Sequence, residues 1–129
     1  MLDAQLYGGN PLGYRLTNLA LHLAVLLAVV VMTWRYSDGS RLATLTAGLI
    51  FAFHPAHLEP VSWITGRVDV LSTACALWFW ITAETFSDQG RCRSLFAAGL
   101  WLLVGVFSKE LCLFAPPLLL LYWLLTDIR

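Results

Sequence analysis

Residues 12–34 read LGYRLTNLALHLAVLLAVVVMTW, and this stretch decides the fold class. Arg15 and His22 are its only basic side chains, and it contains no acid. Its length is close to the roughly 20 apolar residues that a helix needs to cross a hydrocarbon layer about 30 Å thick. Downstream, Tyr36-Ser37-Asp38-Gly39-Ser40-Arg41 has the composition of a turn. Four more apolar runs follow, over residues 42–53, 68–86, 95–107 and 111–125. They are broken by His54-Pro55 and the mixed stretch after it, by Ser87 to Arg93, and by Ser108-Lys109-Glu110. The mixed stretch, residues 56–66, sets Leu58, Val61, Trp63 and Ile64 between polar residues and reads as a short interfacial helix or loop. Pro116-Pro117 is expected to kink or break the last run. The fold class expected is therefore an all-α membrane protein. It would be a bundle of about five transmembrane helices with a short exterior interfacial helix or loop.

Composition points the same way. Of 129 residues, 59% are hydrophobic and only 12% are charged, against about 25% charged in a soluble domain. A soluble domain of this size has too much surface for its volume to hide that apolar content. Lys+Arg and Asp+Glu are 8 each. A balanced charge offers no basic excess for nucleic acid and no acidic tail. Cys75, Cys92 and Cys112 are scattered without a CxxC pair, so neither a disulfide framework nor a thiolate metal site is indicated. Residues 1–9 lack the basic and apolar regions of a signal peptide. No linker or repeat divides the chain, which reads as one block.

The basic residues set an orientation. With alternate breaks on opposite sides, Arg35, Arg41, Arg91, Arg93 and Arg129 share one side, and Arg15, Arg67 and Lys109 share the other. The positive-inside rule assigns the first set to the cytoplasm. Those cytoplasmic turns, with Asp38 and Asp88 beside the arginines, read as plain topology signals. The exterior polar residues are Arg15, Asn18, His22, His54, His57, Glu59, Arg67, Asp69, Lys109 and Glu110. Many lie in or against apolar sequence, where ionisable groups are costly and usually line a cavity or pathway.

Each group has a plain alternative. Arg15, Asn18 and His22, at i, i+3 and i+7, form one helical stripe. The stripe either lines a cavity for an anionic or polyhydroxyl ligand or forms a hydrogen-bonded seam between helices. His54, His57 and Glu59 place two imidazoles and a carboxylate within six residues. Imidazole and carboxylate are ordinary ligands, so a divalent metal has room here. A substrate-lining turn needs no metal, and Pro55 alone would simply end the second helix. Asp69 suits a helix N-terminus electrostatically, whereas Arg67 beside it suits bidentate phosphate binding. Lys109-Glu110 is either a solvated turn or a cation set to meet a lipid-linked phosphate. Trp34, Trp63, Trp101 and Trp123 fit interfacial belts, while Trp78 and Trp80 fall mid-helix.

Three segments resemble one enzyme family. Asn10-Pro11-Leu12-Gly13-Tyr14-Arg15-Leu16-Thr17-Asn18-Leu19-Ala20-Leu21-His22 is similar to the NPxGYHxxNxxLH segment of the TPR-containing transmembrane O-mannosyltransferases and their bacterial relatives. His54-Pro55-Ala56-His57-Leu58-Glu59-Pro60-Val61 and Gly66-Arg67-Val68-Asp69-Val70-Leu71 resemble HPxHxEAVxxxxGRxDxL. Ser108-Lys109-Glu110 resembles the family's later SKE. Arg15 stands where many relatives have His, and Pro60 where many have Ala. The resemblance covers residues 6–121.

It implies a partial GT-C type transmembrane domain over residues 1–129. Such a glycosyltransferase moves a sugar, here mannose, from a polyprenyl-phosphate carrier to a protein Ser/Thr hydroxyl or a glycan acceptor on the exterior face. It would be a multi-pass protein of a bacterial inner membrane or the endoplasmic reticulum. The catalytic acid expected for the family lies in a loop upstream of the NPxGY segment, and the TPR repeats lie downstream. The chain is therefore expected to be the middle of a transferase, inactive alone. Arg67 and Lys109 would stabilise the leaving phosphate. Glu59 and Asp69 would position them or contact sugar, and the histidines would hydrogen-bond sugar hydroxyls or phosphate. A transporter or channel segment with a polar exterior pathway, or a structural membrane subunit, remains the rival expectation.

Overall fold

The computed structural model describes residues 11–55 and 66–127. Among them are five α-helices and no strand: α1 (Pro11–Tyr36), α2 (Arg41–Phe53), α3 (Arg67–Gln89), α4 (Cys92–Ser108) and α5 (Ala115–Asp127), with a 3-10 helix over Glu110–Phe114. The expected interfacial segment, apart from Gly66, lies outside the described residues. Where the sequence reads as one block, the chain divides into two compact units, Met1–Val70 and Leu71–Arg129. The division falls inside α3.

In the first unit, α1 and α2 form an antiparallel hairpin. The turn is built from local chemistry. Asp38 and Gly39 take positive φ (51° and 77°), and Gly39 N–H donates to Trp34 O at 3.0 Å, closing the end of α1. A side chain at Gly39 would also press on the Trp34 ring, 3.4 Å away. Ser40 then caps α2: its Oγ accepts from Ala43 N–H at 3.4 Å, and its carbonyl accepts Thr44 Oγ1–H at 2.9 Å. The hairpin closes on Asn18, Val25, Ala28 and Thr44, all buried. Gly48 lets α2 approach Val30, whose Cγ2 would lie 3.3 Å from a Cβ there.

The second unit packs α3, α4 and α5 around Phe79, Ala83, Ala98, Ala115 and Leu119. Trp101 stacks on Trp78 at 6.2 Å and Trp80 meets Tyr122 at 5.7 Å. Trp101 and Trp123, expected in interfacial belts, thus also pack against this core. Gly105 is the tightest point. A Cβ there would lie 2.9 Å from Cys75 Cβ and would collide with Cys112 Sγ. The last apolar run is broken, as expected: a 3-10 helix gives way to α5 at Ala115, and Pro116 and Pro117 occupy the second and third positions of α5. A helix's first turn does not need the N–H groups that proline lacks. The preceding residues accordingly wind as a 3-10 helix.

Only α1, over Arg15–Tyr36 with mean hydropathy 2.2, is both long and apolar enough to cross a membrane among the described residues. Its 26 residues rise about 39 Å. α3 is 23 residues long but carries Arg67, Asp69, Glu84 and Asp88. α2 and α4, with 13 and 17 residues, are shorter. Much of the apolar surface stays uncovered: Leu16, Leu23 and Leu27 on α1, and Phe96, Leu100 and Phe107 on α4, are all more than half exposed.

Candidate functional site

Antiparallel pairing places the start of α1 and the end of α2 at the same end of the hairpin. Arg15, Asn18, His22 and His54 therefore gather there. Arg15 is exposed, Asn18 is 2% exposed with Oδ1 enclosed, and His22 is half-buried. The i, i+3, i+7 stripe thus runs from solvent-facing Arg15 into the seam with α2. His22 stacks on Phe51 of α2, ring centroids 5.5 Å apart and planes 15° from parallel. Phe51 escaped the sequence reading, because no spacing within α2 marks the partner of a ring on another helix.

His54 is the C-cap of α2, in extended conformation (φ −68°, ψ 126°) and exposed. Pro55 follows directly, and a residue before proline is pushed out of the helical region. His57 and Glu59 lie outside the described residues, so the geometry of a His54–His57–Glu59 metal site does too. Among the described residues no cluster of three or more His, Cys, Asp or Glu could hold a metal ion.

Arg67 and Asp69 open α3 within the first unit. The Gly66 carbonyl accepts Asp69 N–H at 3.2 Å and Val70 N–H at 3.3 Å, starting the helix. Arg67 is half-buried, with Nε and Nη2 enclosed, while Asp69 is exposed. An enclosed guanidinium at a helix N-terminus, where backbone N–H groups also point outward, suits an anionic oxygen.

Lys109 and Glu110 belong to the second unit. Lys109 is extended (φ −156°, ψ 132°), its N–H donating to Gly105 O at 2.9 Å and its carbonyl accepting Cys112 N–H at 3.1 Å. This break projects Lys109 and Glu110 as exposed side chains between α4 and the 3-10 helix. Arg15, Asn18, His22, His54, Arg67 and Asp69 thus belong to the first unit, and Lys109 and Glu110 to the second, at the corner between α4 and the 3-10 helix.

The second unit also holds a cleft of about 460 Å³, lined by Thr82, Thr85, Arg91, Arg93, Ser94 and Ala97. It lies at the α3–α4 turn, where the sequence showed only a charged break.

Comparison with known proteins identifies relatives. The chain is 35% identical over 103 residues to a protein O-mannosyl-transferase of Drosophila melanogaster, covering 80% of this chain and 12% of that protein. It is 38% identical over 113 residues to one of Xenopus laevis, 81% of this chain and 13% of the relative. It is 30% identical over 116 residues to one of Mus musculus, 78% of this chain and 15% of the relative. The chain thus spans well under a fifth of the length of these curated relatives. No family model matches it, and no solved structure matches it.

Proposed function

As a homologue of one segment of the protein O-mannosyl-transferases, the chain is, we propose, part of the membrane domain of a mannosyltransferase. The whole protein would move mannose from a polyprenyl-phosphate carrier to a Ser or Thr hydroxyl of an acceptor protein on the exterior face. The relatives, at 30–38% identity over about 80% of the chain, carry this reading.

The membrane is where the helices make physical sense. Leucines and phenylalanines on α1 and α4 leave apolar side chains exposed, and hydrocarbon would cover them. α2, α4 and the 110–126 run are short for a full span, so flanking residues or local thinning would complete the crossing. Multi-pass topology with the Arg15, Arg67 and Lys109 ends exterior follows from the arginine asymmetry. Membrane-impermeant maleimide supplies the check on sidedness. Cys92, exposed at the α3–α4 turn, should resist labelling from outside, while Lys109→Cys should react.

In this reading a carboxylate from elsewhere in the whole protein deprotonates the acceptor hydroxyl. The oxygen then attacks the anomeric carbon, and the carrier phosphate leaves. Arg67 and Lys109 stabilise the charge that grows on that phosphate. Glu59 and Asp69 position them or touch the sugar, and Arg15, Asn18, His22, His54, His57 and Glu110 contribute hydrogen bonds. A divalent metal is not required by these steps, although two imidazoles and a carboxylate remain a reasonable set for one. The test is a mannosyl-transfer assay on the full-length protein bearing Arg67→Ala or Lys109→Ala. Both should lose most turnover, and unchanged turnover in both would refute the assignment.

One observation favours a second reading for part of the cluster. Asn18 is buried and His22 stacks on Phe51, which is also how a purely structural seam would look. Transfer by a His22→Phe variant separates the two.

A further inference from the structure

The cleft at the α3–α4 turn was built by a sequence that breaks a local rule. Helix N-termini favour acids, because the backbone dipole is positive there. α4 begins instead with Arg91 as its N-cap and Arg93 in its first turn, with no acid in that turn and no side-chain cap. Two cations thus stand at the positive end of a helix. Among the described residues, neither guanidinium has an ion pair or side-chain hydrogen bond. Asp88, the nearest acid in sequence, is exposed in the last turn of α3 and does not line the cleft. An uncompensated departure of this kind marks a binding site more often than a scaffold.

The lining sorts into donors and walls. Thr82 Oγ1–H donates to Trp78 O at 2.7 Å and Thr85 Oγ1–H to Ile81 O at 2.7 Å, so both hydroxyl protons are used within α3. Arg91, Arg93 and half-buried Ser94 are left to face an occupant. Every side-chain donor still available therefore suits an anion with several oxygens. Ala97 keeps one wall small. Further along α4, Phe96 (78% exposed) and Leu100 (54%) lie at i and i+4 and form an apolar strip beside the Arg93–Ala97 face.

We propose that this cleft binds the phosphate of an anionic phospholipid headgroup, with the acyl chains along the Phe96–Leu100 strip. The strip distinguishes a lipid from a free phosphate, which would make no use of it. The inference needs only that the chain sits in a bilayer, and it stands or falls separately from mannosyl transfer. It also gives Arg91 and Arg93 more to do than set topology.

Native mass spectrometry of the purified chain, titrated with phosphatidylglycerol or phosphatidylcholine, tests it. Phosphatidylglycerol should be retained and phosphatidylcholine not. Near an anionic lipid, each arginine accounts for about a fivefold change in affinity, so Arg91→Gln should weaken retention about fivefold and the double Arg91→Gln/Arg93→Gln about 25-fold. Ala97→Leu, which fills the cleft with both charges kept, should also weaken it. Arg41→Gln, an equally exposed arginine on α2, should leave it unchanged. Circular dichroism shows whether each variant keeps its helices. Equal retention by the double variant would overturn the proposal. So would an equal loss in Arg41→Gln, which would mean diffuse surface charge. Complete displacement by millimolar inorganic phosphate would overturn the lipid assignment.

Discussion

The two units pack their helices with different balances of polar and apolar groups. The α1–α2 hairpin sets polar groups beside buried Val25 and Ala28: Asn18 and Thr44 are buried, and His22 stacks on Phe51. The α3–α4–α5 unit closes on Phe79, Ala83, Ala98, Ala115 and Leu119, with Gly105 against Cys75 and Cys112. Small apolar residues let helices approach closely in a membrane, where there is little hydrophobic force between them. Polar groups give modest attraction there and are costly when imperfectly matched. The contrast teaches that the close packing around Gly105 and Phe79 serves the fold, while the hairpin keeps groups whose presence packing alone does not require.

Variants should separate the two regions, beginning with the largest effect. Arg67→Ala, at the hairpin's side of the division, should lower kcat for transfer by about 100- to 1000-fold, as loss of a charge-stabilising donor does elsewhere. Arg67→Lys should recover only part, because lysine lacks the planar fork. Gly105→Ala should act on stability instead. Its Cβ would meet Cys75 Cβ at 2.9 Å, and overpacking of this kind costs about 1–3 kcal/mol, readable in reversible unfolding in mixed micelles. Gly105→Ala/Cys112→Ala, which trims the colliding Sγ, should recover part of that loss. Gly39→Ala, forcing a side chain to φ 77°, should cost about 1–2 kcal/mol in the same measurement. Ser40→Ala should fall near the low end of the cap range, about 0.5 kcal/mol, since its Oγ···N distance is 3.4 Å. If Gly105→Ala abolished transfer without loosening the fold, the structural role of the Gly105 contact would fail.

What the sequence disclosed follows the range of each interaction. The apolar run at residues 12–34 foretold α1, Pro11–Tyr36, and the Ser37-Asp38-Gly39-Ser40 composition foretold its turn. These features depend on neighbours along the chain. Pro116-Pro117 foretold a kink or break in the last run, and the run does break beside them, but only the 3-10 winding of Glu110–Phe114 shows that they fall in a helix's first turn. The i, i+3, i+7 spacing placed Arg15, Asn18 and His22 on one stripe, but their different burial depends on where α2 lies. Phe51 and the Arg91–Arg93 cleft are tertiary, so no pattern in the chain announced them.

The hairpin's polar seam is thus where chemistry and packing compete, and His22→Phe separates them most directly. Phenylalanine keeps an aromatic ring to stack on Phe51, one atom larger than imidazole, and removes both nitrogens as hydrogen-bonding groups. With mannosyl transfer and thermal unfolding measured on the same full-length variant, transfer should fall at least about tenfold, equivalent to about 1.4 kcal/mol, while unfolding shifts little. Unchanged transfer would contradict a ligand-binding role for the seam and leave His22 as a packing residue.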